Sequence, residues 1–292
     1  MTRASAVWWR RGQVLHRAPE LRVVLRQVET RLADEGIESA RVDAELLLGH
    51  VLGLSRAELA TAGSRALGED EQASLAALVD RRALREPLQY VLGEWGFRRL
   101  MLKVDVRALI PRPETEVVVE RVLTCLARRE APAVLDVGTG SGAIALAIAD
   151  EHPGARVLGI DSSAGALALA RENAERCGLD VAFECRDLFD GLPPGLWDVV
   201  VSNPPYVPLA DRDTLEPEVR DWEPAEALFG PDSTEATARG AHAALADGGV
   251  LVLEVGDGQA SGVVSLLGAL GYSDVVTTRD LSGRERVVEG TR

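Results

Sequence analysis

AVLDVGTGSGAIALAIAD, residues 133–150, decides the fold. Ala133–Val137 is a short apolar run, Gly138, Gly140 and Gly142 follow, and from Gly142 to Asp150 the chain is rich in Ala, Ile and Leu. This order predicts a strand, a glycine turn and a helix. Glycines there let the backbone approach a ligand closely, and the helix N-terminus offers unpaired N–H groups. The next apolar run, Val157–Ile160, leads into Asp161, 23 residues after Gly138. A carboxylate at that point can accept hydrogen bonds from both hydroxyls of a ribose. The pattern therefore points to a nucleoside-containing ligand at the carboxyl edge of a sheet. It leaves open whether that ligand is S-adenosylmethionine or a nicotinamide dinucleotide, since Gly138-x-Gly140-x-x-Ala143 also passes as a loose dinucleotide fingerprint. A tight turn without any ligand is the remaining reading.

Downstream, strand and helix continue to alternate. A helix is expected over 163–177, strands over 181–185 and 197–201, and, after a long irregular segment, a helix over 234–246 and a strand over 250–254. A helix over 259–270 and two closing strands near 272–278 and 286–289 complete the chain. Such alternation predicts a doubly wound, mainly parallel α/β sheet. The run at 197–201 is nearly all apolar, as a strand buried on both faces should be. It ends in Ser202-Asn203-Pro204-Pro205-Tyr206. Two prolines cannot continue a central strand, so the chain leaves the sheet at its carboxyl end, where such sheets bind ligands. The turn brings an amide (Asn203), a backbone carbonyl (Pro204) and an aromatic ring (Tyr206) to one pocket.

Upstream, residues 20–85 have helical periodicity. Leu21, Val24, Leu25, Val28 and Leu32 share one face, with Gly36 as the stop; Ala44, Leu47, Leu48, Val51 and Leu52 repeat the pattern up to Gly53. A third helix follows the acidic start Glu69-Asp70-Glu71, and Pro87 is expected to close it. The sequence divides into an N-terminal extension (1–20), a helical domain (21–88), a linking hairpin (89–110) and an α/β domain (111–292).

Charge sharpens this division. The 292 residues carry 32 basic and 46 acidic side chains, a formal charge of −14. Residues 1–110 hold 17 basic and 15 acidic groups, whereas residues 111–292 hold 15 and 31. The acidity of the second part tells against binding bare nucleic acid, which rests on neutralising phosphates. No apolar run approaches the length of a membrane span, and the first residues lack the apolar core of a secretory signal. Three cysteines without a CxxC pair and four scattered histidines give no metal site. A soluble cytoplasmic protein is expected.

The pairing of LDVGTGSG (135–142) with NPPY (203–206) resembles a class I S-adenosylmethionine-dependent methyltransferase acting on an amino group attached to a planar system. RVDAELLL (41–48), REPLQY (85–90), LIPRPETE (109–116) and VRDWEPAEAL (219–228) extend the resemblance, over about residues 21–290, to the HemK/PrmC family of protein-(glutamine-N(5)) methyltransferases. The resemblance implies a Rossmann-like, seven-stranded, mainly parallel sheet beside a helical substrate-recognition domain. It implies S-adenosyl-L-methionine as donor, S-adenosyl-L-homocysteine as product and, as substrate, the glutamine of the Gly-Gly-Gln loop of peptide chain release factors. By the same resemblance Gly138, Thr139, Gly140, Ser141 and Gly142 line the methionine part, Asp161 holds the ribose, and Asp187 and Leu188 meet the adenine. Asn203, Pro204, Pro205 and Tyr206 receive the substrate amide, with Asn203 also facing the donor. A monomer is expected.

Arg112 and Glu114 lie where the linker meets the α/β domain and suit an anion contact or, in preference, an ion pair between domains. Residues 207–232, with seven acidic groups between Asp211 and Glu226 against two arginines, read as a lid beside the substrate. Two features depart from the family pattern: residues 1–20 have no counterpart, and Asp232-Ser233-Thr234-Glu235 replaces a glycine-containing turn. Three rivals remain. A nucleic-acid amino methyltransferase would use the same NPPY, but needs a basic groove. A non-catalytic binding factor would have no need of an intact glycine loop, Asp161 and Asn203. A nicotinamide oxidoreductase lacks a visible hydride-site constellation.

Overall fold

The computed structural model describes residues 19–230 and 232–292. The chain folds as two compact units that meet in sequence at Leu92 and Gly93. The proposed extension, residues 1–20, lies outside the described residues except for Pro19 and Glu20.

The first unit is helical. Helix α1 (Leu21–Asp34) buries Leu21, Val24, Leu25, Val28 and Leu32, the apolar face its spacing predicts. Helix α2 (Ala40–Leu52) stops at Gly53, whose φ of 63° is left-handed. Two short helices were not expected. Ser55 and Glu58 form a reciprocal capping box that starts α3 (Arg56–Thr61), and α5 (Leu88–Leu92) follows α4 (Glu69–Ala83). Pro87 does not close α4. That helix has already ended at Ala83, the chain turns at Arg85 with φ 65°, and Pro87 accepts from Val91 N–H at the start of α5. Proline suits a helix start, where its missing N–H has no partner to lose. Inside the bundle Arg82 donates to Asp43 at 2.7 Å, both fully withdrawn from solvent.

The second unit opens with a hairpin, β1 (Glu94–Phe97) and β2 (Leu100–Lys103). A three-residue turn at Pro113–Thr115 leads into α6 (Glu116–Leu126), which the sequence reading missed. The segment EVVVERVLTCL is rich in β-branched valine, so its composition favours a strand. Its period is helical nonetheless: Val118, Val119, Val122 and Leu126 are all buried. There follow β3 (Ala133–Val137), α7 (Ala143–Glu151), β4 (Arg156–Asp161), α8 (Ala164–Cys177), β5 (Ala182–Cys185) and β6 (Trp197–Ser202). Beyond them come α9 (Pro217–Trp222), α10 (Ala225–Leu228), α11 (Ser233–Ala244), β7 (Leu245–Glu254), α12 (Ala260–Leu270), β8 (Ser273–Arg279) and β9 (Glu285–Thr291).

Seven of these strands form one sheet in the order β5-β4-β3-β6-β7-β9-β8. The first five are parallel, and β9 runs antiparallel to both β7 and β8. The expected seven-stranded, mainly parallel sheet is present. Its winding reverses between β3 and β6, and the carboxyl ends of those strands are paired, Val137 with Ser202. A reversal of this kind opens a crevice at the sheet edge. Consequently the glycine turn after β3 and the Asn-Pro-Pro-Tyr turn after β6 emerge side by side.

Candidate active site

Gly138, Gly140 and Gly142 all have left-handed φ, 72°, 56° and 83°. A Cβ on Gly138 would touch nothing within 4 Å, and one on Gly140 would reach Ala108 Cβ only at 4.0 Å. These two glycines thus border open space. Gly142 does not; a Cβ there would press on Ala170 and Leu146 at 3.2 Å, so its role is to let α7 start close to α8. Asp161 ties the turn together, accepting from Gly140 N–H at 2.9 Å and Ser163 N–H at 2.8 Å. Burial raises its pKa above the usual carboxylate value, against the pull of those two hydrogen bonds.

A cavity of about 160 Å³ is lined by Gly138, Thr139, Gly140, Ser141, Asp161 and Asn203, among others. A second, of about 100 Å³, shares Gly138 and Asp161 and is lined on its far side by Leu188, Phe189 and Pro204. Both border Asp161. Leu188 lines this second space. Asp187 lines neither; its Oδ1 accepts from Phe189 N–H at 2.9 Å and caps the following turn. Thr139, which lines the first cavity, donates its hydroxyl to Asp136 Oδ2 at 2.7 Å.

On the other side of Asn203 lies a third cavity, about 150 Å³, lined by Asn203, Pro204, Tyr206, Arg112, Leu215 and Val219 among others. It meets the first at Leu109, Arg112, Asn203 and Ala227. Pro204 is buried, while Asn203, Pro205 and Tyr206 are half-buried. Of the predicted residues, Asn203 thus lies on the wall between the glycine-turn cavity and the Pro204–Tyr206 cavity, whereas Gly142 and Asp187 line none of the three.

Four residues that the sequence reading gave no role in the site hold this wall. Asn203 Nδ2 donates to Thr115 Oγ1 at 3.3 Å, and Thr115 Oγ1 donates to Glu254 Oε2 at 2.7 Å. Tyr206 donates its hydroxyl to Glu254 Oε1 at 3.0 Å. Burial, and then the negative charge of Glu254, push the Tyr206 phenol far up, so it stays protonated. Gln259 donates to the Tyr206 carbonyl at 2.9 Å and accepts from Gly256 N–H at 3.1 Å. Glu223, the fourth, is buried and pairs with Arg112; its Oε2 also accepts from Ile110 N–H at 3.2 Å. Arg112 is thus paired within the second unit, to the loop after β6, and not across a domain boundary. Glu254 was legible only as a lone acid closing the apolar run Leu251–Leu253.

The segment after Tyr206 is not irregular. A 3-10 stretch (Leu209–Thr214), α9 and α10 order it. Its ends are pinned by the bridge of Tyr206 with Phe229 and by Val207 N–H donating to Leu228 at 3.0 Å. Among the described residues no cluster of His, Cys, Asp or Glu could hold a metal, and no helix is long and apolar enough to cross a membrane.

Comparison with known proteins agrees with this geometry. Residues 24–93 match the family model described as the PrmC N-terminal domain, and residues 116–215 the one described as the methyltransferase small domain. The release factor glutamine methyltransferase of Geobacter sulfurreducens is 44% identical over 277 residues, covering 92% of this chain and 96% of the relative. That of Deinococcus radiodurans is also 44% identical over 277 residues, covering 94% and 99%. Among solved structures, a methyltransferase from Pyrococcus furiosus matches with a TM-score of 0.50 at 18% identity, over 66% of this chain and 88% of that one, a likeness of fold alone. With 44% identity sustained over nearly the whole length of both sequences, the chain belongs to the release factor glutamine methyltransferase family.

Proposed function

We propose that this protein, in the cytoplasm, methylates the side-chain amide nitrogen of the glutamine in the Gly-Gly-Gln loop of peptide chain release factors and so modulates translation termination. The observation that carries the reading is the shared wall: Asn203 borders both the cavity of the glycine turn and the cavity of Pro204 and Tyr206. S-adenosyl-L-methionine, when bound, supplies an electrophilic methyl group and leaves as S-adenosyl-L-homocysteine. The residues present fit it. Gly138 and Gly140 leave open the space that any Cβ would fill, and Asp161 keeps a free lone pair on each carboxylate oxygen for ribose hydroxyls. Thr139 and Ser141 complete the cradle, Leu188 meets the adenine face, and Gly142 and Asp187 act by shaping the two turns.

A carboxamide nitrogen is a poor nucleophile because its lone pair is delocalised into the carbonyl. Asn203 Oδ1 and the Pro204 carbonyl accept its two hydrogens and hold the nitrogen at the wall between the cavities. Tyr206 covers the flat amide, and Pro205 stiffens the turn. Rate comes from position and from fixed acceptors, without a strong base before transfer. The helical unit takes part in recognising the release factor.

Purified protein with labelled S-adenosyl-L-methionine, offered release factor, DNA and RNA separately, tests the reading. Label is expected on the release factor's glutamine. Label on nucleic acid and none on that glutamine would establish the rival amino methyltransferase instead. In the same assay Asn203→Ala should lose on the order of 10²–10³ in turnover while still binding the donor.

A further inference from the structure

We infer that Thr115 and Glu254 are positioning residues that fix which end of the Asn203 side chain faces the substrate. The inference rests on the methyl-transfer reading and concerns how the acceptor amide is held. Asn203 lies in a turn where its amide could present either oxygen or NH₂ to the third cavity, and only the oxygen can receive an N–H from a carboxamide. What chooses between them is a chain of hydrogen bonds running from Asn203 through Thr115 to Glu254.

The chain has a direction. In its ionised form Glu254 has acceptors only, and both hydroxyls that reach it then spend their single hydrogen on it. Thr115 gives its hydrogen to Oε2 and Tyr206 gives its hydrogen to Oε1. Thr115 Oγ1 is left with lone pairs alone, and the group facing it from Asn203 has to be the NH₂. Oδ1 is thereby turned away from Thr115, free to accept from the substrate. The same carboxylate sets the Tyr206 hydroxyl, so one buried charge orders both side chains of the acceptor wall.

The placement suits this task. Thr115 and Glu254 are 4% and 1% exposed, out of reach of water that could substitute as donor or acceptor. Neither residue lies in the Asn-Pro-Pro-Tyr turn: Thr115 comes from the turn before α6 and Glu254 from the end of β7. Burial pushes the Glu254 carboxyl above its ordinary value; the hydrogen bonds from Thr115 and Tyr206, and then the charge of Arg286, pull it down, and Glu114 adds to the rise.

Three variants test it: Thr115→Val removes the hydroxyl at constant shape, Thr115→Ser keeps it, and Glu254→Gln puts a donor where only acceptors stood. Thr115→Val and Glu254→Gln should lose about 10²-fold in kcat on a release factor, the scale of a misplaced reacting group. KM for S-adenosyl-L-methionine should stay within about twofold in both, and Thr115→Ser should recover most of the turnover. A kcat for Thr115→Val close to that of the unaltered protein overturns the inference. A second readout needs no substrate. On nitrogen-15-labelled protein, the Asn203 side-chain NH₂, identified by its loss in Asn203→Ala, should be protected from hydrogen exchange and lose that protection in Thr115→Val. Unchanged protection also overturns the inference. Should Thr115→Val fail to fold, Glu254→Gln, which keeps the volume, is read in the same two ways. If the unaltered protein leaves the release factor unlabelled, the methyl-transfer reading falls and the exchange comparison still decides the orientation of Asn203.

Discussion

Asp136, one residue before the end of β3, has no exposure to solvent, and its two carboxylate oxygens are treated unequally. Oδ2 accepts from the Thr139 hydroxyl and from Ala145 N–H, whereas Oδ1 is buried without a partner. Burial is the larger effect and pushes this carboxyl up to about 7, against an ordinary value of 3.8; the two hydrogen bonds pull the other way, and nearby Asp161 adds to the rise. The sign of the consequence follows from proton counting. Between the two values the folded protein holds a proton that the unfolded chain has released, so this group's favourable share is full at low pH and is lost as pH rises towards 7. Asp136→Asn cannot titrate and escapes that loss. Its stability relative to the unaltered protein should therefore rise between pH 5 and pH 8, by on the order of 1–3 kcal/mol. Urea unfolding of both proteins at the two pH values measures it. A difference that does not change with pH would mean the carboxyl keeps an ordinary value when folded.

Among elements, the contrast between β3 and α6 explains what could be read from sequence. The turn after β3 announces itself because its glycines occupy conformations other residues avoid, and Asp161 stands at the end of the adjacent strand. Helix α6 hides because valine composition and helical period disagree, and packing of Val118, Val119 and Val122 settles the matter. Thr115 and Glu254 hide for another reason: they touch across 139 positions of sequence, a pairing that no local pattern encodes. The loop after β6 belongs with them. Its short helices are too brief to stand on propensity and depend on anchoring, above all on the buried Glu223 beneath Arg112. Arg112→Met keeps the length of the side chain but strands a buried carboxylate, a loss of about 3–5 kcal/mol where no water can enter. Because the loop can open without unfolding the sheet, the cost should appear locally. Trypsin should cut at the exposed Arg212 markedly faster in Arg112→Met, while the thermal midpoint of the whole protein moves little. Equal cutting rates would show that the pins at Val207 and Phe229 hold the loop without Arg112.

At the scale of the whole molecule, a charge of −14 is the sum of two unlike parts, 17 basic against 15 acidic groups up to residue 110 and 15 against 31 beyond it. Basic side chains of the catalytic unit are also largely committed. Arg98 is held by Glu151, Arg107 by Asp105 and Glu172, Arg121 by Glu289 and Arg129 by Asp198. Association with nucleic acid draws its strength from cations that displace counterions from phosphates, and a paired arginine must first give up its carboxylate. The Asn-Pro-Pro-Tyr wall alone would accept an exocyclic base amine as readily as a carboxamide, so substrate class turns on what the surrounding surface attracts. An acidic surface repels a polyanion at long range, and screening by salt lessens that repulsion without creating attraction. Fluorescence anisotropy of a labelled DNA duplex should accordingly show no binding at 50 mM salt up to about 10⁻⁴ M protein, the weak end of ordinary non-specific affinity. Micromolar binding that weakens steeply as salt is raised would reveal a basic face strong enough to outweigh the net charge, and would return nucleic acid to the list of substrates.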